Sequence, residues 1–197
     1  MELAEIELVA HIPAGCVLGE GPVWDHRLSC LWFTDIQSAQ LLRLDWRSAE
    51  LTRYDLPERL GSMGLTADPA RLVCAFASGF ALYSPASGAC EWLAKTESEY
   101  RGIRMNDGRV DRQGRFWAGS MVEKRKLAEG ASGSLYRLDG ADSAPAIVRG
   151  RIAISNAISF APDGTALYFT DTLTQEILRF RLDPATGAVS YTHLTLP

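Results

Sequence analysis

The phrase Arg-Leu-Asp occurs three times in this chain, at residues 43–45, 137–139 and 181–183. The copies lie 94 and 44 residues apart, so the first interval is close to twice the second. A period near 45 residues points to an array of similar supersecondary units, each too small to bury its own apolar face alone. A second marker keeps nearly the same period. Asp25, Asp68 and Asp111 follow one another at 43-residue intervals, and Asp163 comes 52 residues later. Each sits in a turn signal: Asp25-His26-Arg27, Asp68-Pro69-Ala70, Asp111-Arg112-Gln113-Gly114 and Pro162-Asp163-Gly164. The Asp side chain caps such a turn, and Gly supplies the positive φ of a tight hairpin.

Short apolar or alternating runs follow these turns, Leu31-Trp32-Phe33-Thr34, Arg71 to Ala75, Arg115 to Gly119 and Ala166 to Thr170. They are rich in aromatic and β-branched residues and bounded by turn formers, which predicts strands. Ile177 to Phe180 reads as a third strand, and the turns Pro85-Ala86-Ser87-Gly88 and Pro184-Ala185-Thr186-Gly187 lead to a fourth. The longer third interval contains Lys124 to Gly133, a loop insertion. Four antiparallel strands in every ~45 residues predict an all-β fold of the β-propeller class. The expected blades are 15–57, 58–100, 101–150 and 151–189, with 190–197 as a non-native tail. A β-sandwich gives no reason for phrases to recur in register.

Composition excludes several partners. The chain has 197 residues, 47% hydrophobic, and a formal net charge of −4. One mildly acidic domain without a basic face is a poor match for nucleic acid, and Lys124-Arg125-Lys126 is the only basic run. No apolar stretch approaches the ~18 residues that span a bilayer. Acids at Glu2 and Glu5 stand where a signal peptide carries bases. Cys16, Cys30, Cys74 and Cys90 lack CxxC spacing and read as reduced thiols of a cytoplasmic protein. There is no Gly-x-Ser-x-Gly elbow and no Gly-rich phosphate loop before a helix, which argues against a Ser-His-Asp hydrolase and against nucleotide chemistry.

In a propeller the first strand of each blade lines the central channel. Counting back five residues from the hairpin Asp gives Glu20, Met63 and Asn106. A constant offset of four from Trp24, Ala67, Val110 and Phe160 gives the same three and adds Asn156. Three of these four positions carry a side-chain oxygen donor, with Asp107 beside one of them. Oxygen donors converging on one axis suit a hard divalent cation such as Ca²⁺, Mg²⁺ or Mn²⁺.

Gly19-Glu20-Gly21-Pro22-Val23-Trp24, Arg104-Met105-Asn106-Asp107-Gly108-Arg109-Val110-Asp111, Gly114 to Met121 and Ile154-Ser155-Asn156 together resemble the SMP-30/gluconolactonase/regucalcin family, in family order. The resemblance runs from about Gly15 to Val189. It implies a six-bladed propeller, of which about four blades are present, with one divalent cation (Ca²⁺, Zn²⁺, Mn²⁺ or Mg²⁺) in the channel. The implied activity is hydrolysis of small-molecule sugar-acid lactones. By the same resemblance Glu20 and Asn156 are metal ligands, and Asn106 binds metal, directly or through water, and also substrate. Arg104 and Asp107 hold substrate. Ala157 stands where the family pattern expects glycine. The remaining metal-binding Asp, the expected general base, lies on the inner strand of the next blade, beyond the chain end. The catalytic residue is therefore unassigned, and the native gene product is expected to be longer. Two other readings stay open: a non-catalytic calcium-binding regulatory propeller, and a related propeller esterase or organophosphatase.

Overall fold

The computed structural model describes residues 7–97, 102–124 and 130–192. Four antiparallel four-stranded sheets succeed one another along the chain as blades of a β-propeller. Blade 1 is β1 (Gly19–Asp25), β2 (Cys30–Asp35), β3 (Gln40–Asp45) and β4 (Leu51–Asp55). Blade 2 is β5 (Leu60–Leu65), β6 (Leu72–Phe76), β7 (Gly79–Ser84) and β8 (Ala89–Lys95). Blade 3 is β9 (Ile103–Val110), β10 (Phe116–Val122), β11 (Gly133–Leu138) and β12 (Ala146–Ile152). Blade 4 is β13 (Ser155–Phe160), β14 (Ala166–Asp171), β15 (Glu176–Leu182) and β16 (Val189–Thr192). Strand order within each blade is the sequence order. The first strands pack side by side, β1 on β5, β5 on β9 and β9 on β13. The expected tail boundary at residue 190 falls inside β16, and residues 193–197 lie outside the described residues.

The core is divided among the blade interfaces. Trp32, Leu41, Leu60, Cys74 and Tyr83 join blades 1 and 2. Val73, Phe80, Met105, Phe116 and Tyr136 join blades 2 and 3. Trp117, Leu135, Ile158, Phe169 and Phe180 join blades 3 and 4. A sheet with one apolar face cannot bury it alone, and stacking on the next blade supplies the missing cover. Among the described residues no helix is long and apolar enough to cross a membrane. Residues 7–10 are in no strand, and Leu8 and Val9 are exposed.

The recurring phrase has a structural cause in two blades. Arg43 pairs across the strands with Trp32, and Arg137 with Trp117. Each guanidinium lies over the indole, at 6.0 and 5.7 Å, and each meets the Asp two residues on. The third copy is shifted by the pairing, because Arg181 faces Ala166. Asp45 and Asp183 nonetheless begin the next turn alike, Asp45 accepting from the Arg47 N–H and Asp183 from the Ala185 N–H.

The hairpin aspartates do more than cap. Asp25 holds Arg27, whose Nη1 donates to Thr66 O of blade 2 at 2.7 Å. Asp111 holds Arg115, whose Nη2 donates to Pro184 O of blade 4 at 2.9 Å. One carboxylate thus fixes its own turn and ties it to the neighbouring blade.

Candidate functional site

The first strands β1, β9 and β13 border a cleft of about 950 Å³. Glu20, Asp107 and Asn156 line it, together with Met63, Ala157 and His26. The residues just before each hairpin turn are Trp24, Leu65, Val110 and Phe160, paired with Leu31, Leu72, Phe116 and Leu167. Four residues back from these stand Glu20, Gly61, Asn106 and Asn156. The blade 2 position is therefore Gly61 rather than the expected Met63. The cause is a longer turn in blade 2, where Asp68 lies beyond Thr66, so a count from Asp68 lands two residues late. Met63 faces Cys74 in the β5–β6 ladder and is buried in the core.

Blade 2 has no room for a donor at this register. A Cβ on Gly61 would lie 2.5 Å from Asn106 O and 2.6 Å from Met105 O. The absent side chain is what lets β5 lie against β9, directly behind Asn106.

In blades 1 and 4 one device aims the donor. Glu20 pairs with Thr34, and Asn156 with Thr170. The next residue of the second strand is Asp35 or Asp171, both buried. Asp35 accepts from the Val17 and Leu18 N–H groups, and Asp171 from those of Ala153 and Ile154. Each carboxylate thus fixes the backbone two residues before the donor. The sequence held the signal in the repeated phrase Phe-Thr-Asp, at 33–35 and 169–171, which the sequence reading passed over. Just past each donor the ladder shifts register, between Glu20 and Val23 and between Asn156 and Ser159. Such bulges turn a side chain out of the regular alternation. The residue after each donor has a left-handed backbone, φ +59° at Gly21 and +56° at Ala157. The alanine at the position expected to be glycine adopts the glycine conformation, at a cost of about 1 kcal/mol.

Asn106 and Asn156 meet directly. Asn106 Nδ2 donates to Asn156 Oδ1 at 3.0 Å and to Ser155 O at 2.8 Å. Asn156 Nδ2 donates to Thr172 Oγ1 at 2.7 Å. Asn106 Oδ1 accepts from Arg104 Nη1 at 2.8 Å. Glu20 is exposed at the cleft. Asp107 accepts from Ile158 N–H at 3.0 Å, joining blades 3 and 4, and burial pushes its carboxyl above the ordinary range. Arg104 is itself buried, with Nε donating to Glu123 Oε1 at 2.9 Å. Of the residues expected to form the site, Glu20, Asp107 and Asn156 line this cleft. Asn106 meets it through Asn156, and Arg104, expected to hold substrate, is buried against Glu123 and Asn106. Sequence reasoning had no sign of Glu123.

Glu123 also receives both Arg59 Nη groups, at 2.8 and 2.9 Å. Hydrogen bonds from Arg59, aided by those from Arg104 and outweighing partial burial, hold its carboxyl at about 2. A group depressed in the folded state stabilises above its unfolded pKa, and that stabilisation is lost as pH falls through its folded value. Thermal stability is therefore expected to decline between about pH 4.5 and about pH 2 partly through Glu123. Melting curves of Glu123→Gln should show a shallower decline in that window. Parallel pH profiles for the two proteins would refute it.

Among the described residues no three His, Cys, Asp or Glu side chains gather. The expected ligands are one carboxylate, Glu20, and two carboxamides, Asn106 and Asn156, all offering oxygen, and of these Glu20 and Asn156 line the cleft. That chemistry fits a hard divalent cation. Asn156 Oδ1 accepts a bond from Asn106 and has a second lone pair. Asn106 Oδ1 is shared with Arg104, so a water bridge suits its part better than direct ligation.

Fold and site together define a β-propeller whose channel carries oxygen donors from three blades. The family described as "SMP-30/Gluconolactonase/LRE-like region" matches residues 18–196, and the chain belongs to that family. It is 36% identical over 167 residues to the 6-deoxy-6-sulfogluconolactonase of Pseudomonas putida, covering 85% of this chain and 56% of the relative. It is 38% identical over 160 residues to the L-arabinolactonase of Azospirillum brasilense, covering 81% and 53%. The crystal structure of a calcium-binding protein, regucalcin, from Agrobacterium tumefaciens superposes with TM-score 0.82 at 33% identity, covering 91% of this chain and 59% of that one. The chain spans little more than half the length of these relatives.

Proposed function

We propose that the protein is a cation-dependent lactonase acting on sugar-acid lactones. The observation that carries this reading is the Asn106–Asn156 hydrogen bond together with a cleft that Glu20, Asp107 and Asn156 line from three inner strands. The names of the relatives support the substrate class, since two of them are lactonases of sugar acids or sugars. Glu20 and Asn156 would hold the cation, with Asn106 reaching it through water. A cation bound there would polarise the lactone carbonyl. The chain's own residues do the rest of the positioning. Arg104 fixes the Asn106 amide, and Asp107, held by Ile158, offers carboxyl oxygens to substrate hydroxyls.

The test is release of acid from glucono-1,5-lactone by the chelator-treated native gene product, with Ca²⁺, Zn²⁺, Mn²⁺ or Mg²⁺ added back. Restored turnover is expected, and Glu20→Ala should lower it on the order of a hundredfold. Hydrolysis indifferent both to chelation and to Glu20→Ala would overturn the reading. Calcium binding without any hydrolysis would point instead to an ion-binding propeller.

A further inference from the structure

Arg59 stands just before β5, on a blade that contributes no donor to the cleft. Its Nη1 and Nη2 grip the two oxygens of Glu123 at 2.8 and 2.9 Å. Glu123 lies just past β10 and has its N–H on Gly102 O at 2.8 Å. Its Oε1 also accepts from Arg104 Nε at 2.9 Å. Arg104 Nη1 in turn donates to Asn106 Oδ1, and Asn106 Nδ2 to Asn156 Oδ1, at 2.8 and 3.0 Å. One unbroken line of side-chain hydrogen bonds therefore runs from blade 2 through blade 3 to blade 4, and it ends on the residues of the cleft.

We propose that Arg59 is a positioning residue for this site, a role that rests on the lactonase reading only for its effect on substrate. A carboxylate gripped by a planar fork at both oxygens cannot rotate about its terminal bond. Held in this way, Glu123 presents Oε1 to Arg104 in one orientation. Arg104 Nη1, which also donates to Met105 O at 3.0 Å, is then directed at Asn106 Oδ1, and Nδ2 of that amide is turned toward Ser155 O and Asn156 Oδ1. Without Arg59, Glu123 Oε2 loses its partner and the carboxylate is free to turn.

A merely structural account would have the Arg59–Glu123 pair stitch blades 2 and 3 together. That seam is already closed by other contacts. Met105 N–H donates to Ala77 O across it at 3.2 Å, and Phe80 stacks edge-on against Phe116. Side chains of Arg59 and Glu123 are 31% and 18% exposed, so the pair adds modestly to stability.

The test replaces Arg59 by Met, which keeps the apolar stem and removes the fork, and by Lys, which keeps the charge without two-point geometry. The readouts are the Arg104 Nε–Hε and Asn106 side-chain amide signals in ¹⁵N-resolved NMR spectra, the melting temperature, and KM and kcat for glucono-1,5-lactone. Both variants are expected to melt close to the parent while the Arg104 and Asn106 signals move. KM should rise about tenfold with kcat less affected, and Lys should restore little of it. Unmoved signals in a folded Arg59→Met protein overturn the proposal, as does full rescue of KM by Lys. Should Arg59→Met fail to fold, Arg59→Lys gives the same decision. If the native gene product shows no turnover, the lactonase reading falls, and the NMR signals alone decide the positioning role.

Discussion

Asp111→Ala is expected to lower the unfolding free energy by about 4 kcal/mol, the largest effect of any single substitution considered for this chain. Asp111 is buried and accepts four hydrogen bonds. Its Oδ1 receives the Gln113 and Arg115 N–H groups at 2.9 Å each. Its Oδ2 receives Arg115 Nε at 2.7 Å and Trp117 Nε1 at 2.9 Å. Alanine leaves a buried guanidinium without its counter-charge and a fully buried indole N–H without an acceptor. Both costs fall in the same place, beneath the turn that Arg115 joins to Pro184 of blade 4. The matching carboxylate in blade 1 is an internal comparison. Asp25 is as buried, but its partner Arg27 is 26% exposed and can turn to water. Asp25→Ala should cost less than half as much. Urea unfolding of both variants checks the pair, and equal losses would remove burial of the arginine and indole as the explanation.

Gly61→Ala is expected to cost about 3 kcal/mol. Its added methyl would meet two backbone carbonyl oxygens, of Asn106 and Met105, at 2.5 and 2.6 Å. No rotamer change relieves a clash with backbone, so β5 and β9 must separate. The separation occurs at Asn106, and loss of stability should be accompanied by weakened lactone binding. Gly140→Ala is the control, because a Cβ there has nothing within 4 Å. Calorimetry of the two variants should show one large shift and one near zero. A Gly61→Ala protein as stable as the control would mean that the blades 2 and 3 seam is slack.

The blades were legible in the sequence because turn chemistry is local. An Asp that caps its own hairpin, as Asp111 does for Gln113, announces itself within a few residues. The place of Glu20, Asn106 and Asn156 on the first strands was legible in blades 1, 3 and 4 for the same reason. The count failed in blade 2 because one turn is longer, and a fixed offset cannot detect that. Arg43 and Arg137 repeat with a common partner, whereas Arg181 repeats only as letters, since its strand pairs two residues further along. Arg59 and Glu123 could not have been found at all. They are 64 residues apart, on different blades, and a contact of that kind leaves no pattern in one chain.

Glu20 and Asn156 occupy the last paired step before the ladder breaks, and Asn106 lies within the break itself. The flanking hydrogen bonds are made by backbone atoms, and the approach to β1 and β13 is anchored by Asp35 and Asp171. Nothing that holds β1 in place passes through the Glu20 side chain, whereas the Asn106 and Asn156 side chains themselves join blade 3 to blade 4. Carboxylate can therefore be exchanged for carboxamide at Glu20 without altering how its blade folds. In the proposed cation site, the charge at this one position is in that sense heritable separately from architecture.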